Sequence, residues 1–262
     1  MQIPYARTLI ALESAHYAEI VRTVSLLFRL SRSEAYQRAV DVGVGETALH
    51  RPGNAAVFMG YDFHLGEKGP RLIEVNTNAG GALLNGLHTA SLCDPAKLAC
   101  LCRDLLPVES MEDRIVRTFR SELAAVHGPR AVLRRLAIAD DAPEEQFLRS
   151  EFVLFRELFA RAGIEALVCD TREIPLRDGV DLVYLRDTDF LLETERTAAL
   201  RRAYLDGSVV VTPSPREHHL LANKARLALF SDAAALRGLG LGAEEAAFLA
   251  RIVPESVPLE VL

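Results

Sequence analysis

Arg135-Leu136-Ala137-Ile138-Ala139, ending at Asp140-Asp141, is a short apolar run that stops abruptly on two carboxylates. The residues after it repeat that rhythm. Pro143 and Glu144 open a predicted helix in which Phe147, Phe152, Phe155, Leu158, Phe159 and Ala162 form a wide apolar stripe, closed by Gly163. Ile164 to Cys169 reads as a second strand, Asp181-Leu182-Val183-Tyr184-Leu185-Arg186 as a third, and Val209-Val210-Val211 as a fourth. A helix over roughly Glu193 to Leu205 separates the last two. Strands alternating with helices at this spacing call for a parallel sheet with right-handed crossovers. The predicted fold class is therefore α/β. Leu136, Ile138, Phe155, Phe159, Val168, Val183 and Val210 are its expected core.

Upstream the period is different. The first forty residues read as helix, with Leu9, Leu12, Ala15, Ile20, Val24, Leu27 and Leu30 at three- and four-residue steps. A glycine- and proline-containing loop over residues 41–54 precedes the apolar run from Ala55 to Leu65. The turn cluster Gly66-Glu67-Lys68-Gly69-Pro70 and then Arg71-Leu72-Ile73-Glu74-Val75-Asn76 complete a predicted β-hairpin. Thr77 to Gly81 reads as loop and Ala82 to Leu106 as helix. From Pro215 the chain is helical again, broken at Gly238 to Gly242.

The 262 residues suit one to two domains, and a composition of 50% hydrophobic and 25% charged residues suits a sizeable core. A net charge of −6, with no long run of one sign, excludes a general nucleic-acid or anionic-membrane footprint. Apolar runs stop short of the ~20 residues of a membrane span, and neither a secretory signal nor a transit peptide is evident. A cytoplasmic location is expected, with Cys93, Cys100, Cys102 and Cys169 as reduced thiols. Gly-x-Ser-x-Gly, His-Glu-x-x-His and Gly-x-Gly-x-x-Gly motifs are missing.

Four places carry side chains suited to chemistry. Glu74 and Asn76 alternate onto one face of their strand, and Asp62 can join them if the hairpin register allows. Oxygen donors so placed suit magnesium, which takes one or two carboxylates plus substrate phosphates; a solvated sheet face ending in a turn is the other reading. Gly80-Gly81 suits a close backbone approach to a phosphate or a simple turn. Arg186 stands at the carboxyl end of a parallel strand, where ligands of open α/β sheets bind. It can fork onto a carboxylate or phosphate, or pair internally with Asp187 or Asp189. Asp140, Asp141 and Gln146 occupy the equivalent place after the first strand. Lys224 is one of only three lysines in a chain of arginines; it is either a point charge for a phosphate or an exposed helical residue. His218 and His219 are assigned to surface and packing.

Taken together, these segments resemble the ATP-grasp superfamily. Gly60-Tyr61-Asp62-Phe63-His64-Leu65 through Leu72-Ile73-Glu74-Val75-Asn76-Thr77-Asn78-Ala79-Gly80-Gly81 resembles the metal-binding end of an ATP-grasp lobe. Its early place in the chain is similar to the circularly permuted, eukaryotic-type glutathione synthetases. Asp181 to Asp187 resembles that family's strand ending in a substrate-facing arginine, and Asn223-Lys224 resembles its first ATP-binding lysine. The matches run in the family's order over roughly residues 55 to 232. Gly60, Ala79 and Gly81 depart from the pattern, standing where the family has an arginine and two substrate-touching serines.

The resemblance implies a partial ATP-grasp-like lobe carrying an inserted Rossmann-like (pre-ATP-grasp) subdomain. Residues 1–130 would be a helical segment plus the hairpin lobe, 131–215 the parallel α/β substrate subdomain, and 216–262 an incomplete helical return. The family's second phosphate-binding lysine, its metal-ligating glutamate and its glycine-rich lid would lie beyond Leu262, so weak nucleotide binding is expected. The implied activity is a carboxylate–amine ligase that uses Mg²⁺ and ATP through an acyl phosphate. Glu74, Asn76 and Asp62 would hold the metal, and Lys224, Asn78, Gly80 and Gly81 the nucleotide. Arg186 would anchor the substrate. The implied partners are small-molecule or peptide-like carboxylates and amines, with no nucleic acid and no membrane. The alternative is a non-catalytic binding module for a peptide-like ligand or a protein partner.

Overall fold

The computed structural model describes residues 11–92 and 110–257, and these fall into two compact units. One comprises residues 11–50, 59–77 and 215–257 and contains the hairpin. The other comprises residues 51–58, 78–92 and 110–214 and contains the parallel sheet. The part of the predicted Ala82–Leu106 helix beyond residue 92, with Cys93, Cys100 and Cys102, lies outside the described residues, as does Leu9.

The hairpin unit begins with α1 (Ser14–Ser31), which buries Leu26, Leu27 and Leu30. The single helix expected over the first forty residues is two helices. Ser33 Oγ accepts the Tyr36 N–H at 3.2 Å and starts α2 (Glu34–Val40) as an N-cap. After α3 (Glu46–Leu49), strands β1 (Gly60–Gly66) and β2 (Gly69–Asn76) pair antiparallel, with Gly69 at φ +85° in the turn. The apolar run at Ala55 does not begin the strand. Its backbone is used within the sheet unit instead: the Ala55 carbonyl accepts from Ser214 N (2.8 Å), and Val57 N–H donates to Thr212 Oγ1 (3.1 Å).

The register contains one irregularity. Asp62 pairs with Glu74 and Phe63 with Leu72, so Ile73 has no partner and bulges. A bulge reverses the alternation of sides. Leu72 and Val75 are therefore both buried, whereas Glu74 and Asn76 are turned to the other, half-exposed face.

In the sheet unit, α4 (Ala82–Leu92) and α5 (Met111–His127) precede β3 (Arg135–Asp140), α6 (Arg149–Arg161), β4 (Glu165–Asp170), β5 (Leu182–Leu185), α7 (Ala198–Leu205) and β6 (Val210–Thr212). The four strands form one parallel sheet in the order β4-β3-β5-β6, so the mixed α/β class is as expected. Both faces are covered, as a parallel sheet requires. On one face Phe119 packs edge to face against Phe159 (centroids 4.9 Å apart) and Tyr184, with Phe155 stacked on Phe159; on the other Val183, Leu185 and Val211 meet Leu200 and Tyr204.

Several boundaries differ from expectation. Helix α6 starts at Arg149 rather than Pro143, because Ala142 takes φ +45° and residues 143–148 form turns; Phe147 is left exposed. The helix expected from Glu193 starts at Ala198, after the Asp189 carboxylate has taken the N–H groups of Glu193 and Thr194. Val168 is only half-buried because β4 is an edge strand.

The chain returns to the hairpin unit through a helical turn (Pro215–Glu217) and a π-turn (His218–Ala222). Helices α8 (Arg226–Phe230), α9 (Ala233–Gly238) and α10 (Ala243–Ile252) follow. Leu220, Phe230, Leu236 and Leu249 share the core of α1. Lys224 is not helical; it stands in the turn before α8, whose Asn223 Oδ1 accepts the Ala225 N–H at 3.0 Å. Among the described residues no helix is long and apolar enough to cross a membrane.

Candidate functional site

On the hairpin, the bulge brings the three predicted oxygen donors to one place. Asp62 is the direct cross-strand partner of Glu74, and Asn76 follows Glu74 on the same face opposite Gly60. Lys224 Nζ lies 3.6 Å from Glu74 Oε1, with both side chains well exposed. In water such a pair contributes at most ~1 kcal/mol. Among the described residues no cluster of three or more His, Cys, Asp or Glu side chains could hold a metal by protein ligands alone. Two carboxylates and an amide nevertheless match what magnesium takes from a protein when phosphates supply the rest.

Of His218 and His219, assigned from sequence to surface and packing, His219 is buried and His218 half-buried, and both have polar partners. His218 Nδ1 is 3.2 Å from Thr77 Oγ1, and burial first, then His219, lowers the His218 pKa to about 4. His219 Nε2 is 3.2 Å from Asp41, on which Arg216 also forks. The π-turn lets two adjacent histidines both point inward.

In the sheet unit the chain steps from β3 to β4 on one side and then crosses back over β3 to β5 on the other, so the strand order reverses between β3 and β5. A ligand-binding crevice forms at such a switch point, outside the carboxyl ends of the strands. Asp140 ends β3 there and Arg186 follows β5. Burial raises the Asp140 pKa to about 6, against the opposing effects of the Asp141 N–H and Arg186. Asp187 is fully buried and accepts from Arg196 Nη2 (2.8 Å), Thr171 Oγ1 (3.0 Å) and Asp189 N (2.9 Å).

Arg186 forms no Arg–Asp pair: among the described residues no carboxylate lies within ion-pairing distance of it. Its Nη1 donates to the Asn78 carbonyl (3.1 Å), to Asn78 Oδ1 and to Tyr184 OH (3.3 Å), and Asn78 Nδ2 donates back to the Arg186 carbonyl at 3.0 Å. Arg186 Nε is buried without a partner. The close approach allowed by Gly80 is made by this guanidinium, since a Cβ there would collide with Arg186 Nη2 and Leu148 Cδ1. Gly81 takes φ +82°, and its N–H donates to Glu151 Oε2 at 2.8 Å.

Glu151 was not among the residues singled out from sequence. Its buried carboxylate also accepts from Leu83 N and Leu84 N, tying down the start of α4. Its signal was an acid on an apolar stripe, four residues before Phe155 and seven before Leu158. Arg196 was missed as well. It bridges Asp141 and Asp187, and nothing local distinguishes it from the chain's other arginines. Cys169 is half-buried, and burial first, then Asp170 and Glu173, raises its thiol pKa to about 11.

No protein-family model matches the chain, and no curated protein matches its sequence.

Proposed function

We propose that this chain is an ATP-grasp-type carboxylate–amine ligase, or a portion of one, with a Rossmann-like subdomain for the substrate. The carrying observation is the hairpin register, which sets Asp62 opposite Glu74 with Asn76 on the same face and the Lys224 ammonium 3.6 Å from Glu74. Glu74, Asn76 and Asp62 would present oxygens to Mg²⁺, and Lys224 a mobile point charge to a phosphate. When bound, magnesium–ATP supplies the phosphoryl group that activates a carboxylate toward an amine. Arg186 serves the substrate: a buried guanidinium that ion-pairs with no carboxylate among the described residues is suited to fork onto one brought by a ligand. Asn78 and Gly80 hold that guanidinium in place, so the protein's contribution is positioning and charge stabilisation.

Calorimetric titration of ATP with and without Mg²⁺ tests this reading. Magnesium-dependent binding that weakens about tenfold or more in Glu74→Gln and in Lys224→Ala is the expected result. Binding indifferent to magnesium, or to both substitutions, overturns it.

That Arg186 ion-pairs with no carboxylate among the described residues also favours a second reading, a non-catalytic module for a peptide-like ligand. It predicts carboxylate binding lost in Arg186→Met with no nucleotide dependence.

A further inference from the structure

Helix α4 starts at Ala82, and the residue before it, Gly81, has no side chain with which to cap it. The first N–H groups of a buried helix need an acceptor from elsewhere. Glu151, in the first turn of α6, supplies it. Its Oε2 accepts from Gly81 N at 2.8 Å, and its Oε1 accepts from Leu83 N at 2.9 Å and Leu84 N at 3.4 Å. The residue is 1% exposed. This carboxylate faces the start of one helix and stands in the first turn of another, and both helix dipoles favour its charge.

The same short segment is gripped at its other end by the opposite charge. Arg186 Nη1 donates to the carbonyl and to Oδ1 of Asn78, and Asn78 Nδ2 donates back to the Arg186 carbonyl. Between the two grips lies Gly80, so close to the guanidinium that a Cβ there would collide with Nη2. Residues 78–81 thus run from a buried guanidinium to a buried carboxylate, with no slack for one end to move alone. Tyr184 feels both charges. Its pKa is pushed up to about 12, chiefly by burial, with Arg186 lowering it and Glu151 raising it.

The consequence falls on the part of Arg186 that is left for a ligand. Nη1 is taken by Asn78 and by Tyr184 OH, whereas Nε and Nη2 donate to no described residue. That edge presents two parallel N–H groups, the geometry that forks onto a carboxylate. Its direction is set by the grip on Nη1, and the grip is only as firm as the segment that carries Asn78.

We propose that Glu151 is a positioning residue for Arg186: by fixing residues 78–81 it keeps the Nε–Nη2 edge aimed at a ligand carboxylate. The proposal rests on the reading of Arg186 as the substrate anchor. Glu151 itself touches no ligand and acts through Gly81 and Asn78.

Arginine side-chain NMR of the isotopically labelled full chain tests it, with Arg186→Lys assigning the signals. A clamped guanidinium rotates slowly about its Nε–Cζ bond and shows separate Nη1 and Nη2 signals; a loose one shows a single averaged signal. The wild type is expected to show them separate and Glu151→Gln to average them. Leu158→Ala, which opens a cavity two turns further along α6, should lower stability and leave them separate. In return, Arg186→Met should raise hydrogen exchange at Gly81 about tenfold and leave Leu123 in α5 unchanged, a measurement that does not depend on Glu151→Gln folding. Signals averaged in the wild type, signals still separate in Glu151→Gln, or exchange at Gly81 indifferent to Arg186→Met each overturn the proposal and leave Glu151 as a helix cap alone. Sodium acetate, titrated to about 100 mM, tests the underlying reading separately. The Arg186 Nε–H signal should shift in the wild type and shift less in Glu151→Gln. A wild-type signal that acetate leaves in place overturns Arg186 as a carboxylate anchor, whatever the state of its rotation.

Discussion

Asp62 and Glu74 pair directly across the hairpin, one position beyond the bulge at Ile73. Two carboxylates in register on an antiparallel pair repel, at a cost of roughly 0.2–1 kcal/mol. Here Lys224 stands 3.6 Å from Glu74 and offsets part of that cost. A sheet built only for stability would place a threonine or a lysine at one of the two positions.

Glu74→Gln should therefore leave the fold intact. The substitution removes the repulsion together with a weak, exposed ion pair, so the change in stability should stay within ~0.5 kcal/mol. Thermal melts beside wild type check this, and a loss of several degrees would mean that Glu74 is structural.

Asp140→Asn should stabilise the protein above neutrality. The pKa of Asp140 rises from 3.8 to about 6 on folding, so the folded state binds more protons between those values and stability falls as pH increases through them. Asparagine carries no such penalty and keeps the oxygen that accepts the Asp141 N–H at 2.8 Å. A gain of about 1–3 kcal/mol at pH 8, shrinking toward pH 4, is expected from denaturant melts at both values.

His218 acts in the opposite direction. Its pKa falls from 6.5 to about 4 on folding, chiefly through burial, so the unfolded chain takes up the proton first. Stability is fully present above pH 6.5 and declines as pH falls toward 4. His218→Gln should flatten that decline by about 2–3 kcal/mol in a pH series of melts. An unchanged slope would assign the acid sensitivity to other groups.

Gly80→Ala should cost about 1–3 kcal/mol through overpacking against Leu148 and Arg186. Glu151→Ala should cost more, about 3–5 kcal/mol, because three buried N–H groups at the start of α4 lose their acceptor. Hydrogen exchange at Gly81, Leu83 and Leu84 should rise in Glu151→Ala ahead of the global transition.

The parallel sheet was legible from residues alone, because strands buried on both faces read as unbroken apolar runs, and Leu136 to Ala139 and Leu182 to Leu185 are such runs. The hairpin was legible too, from its glycine- and proline-bearing turn, and with it the shared side of Glu74 and Asn76. The tertiary structure decided everything that depends on which distant group is near. The Ile73 bulge allows Leu72 and Val75 both to be buried, and that phase follows from packing against α1 rather than from a local period. Arg186 takes Asn78, 108 residues away, instead of the aspartates beside it, because Gly80 leaves room for the guanidinium and Asp187 is occupied by Arg196. Local patterning specifies periods and turns. It cannot specify partners, because an arginine's choice among carboxylates and amides is settled by burial and distance once the chain has closed.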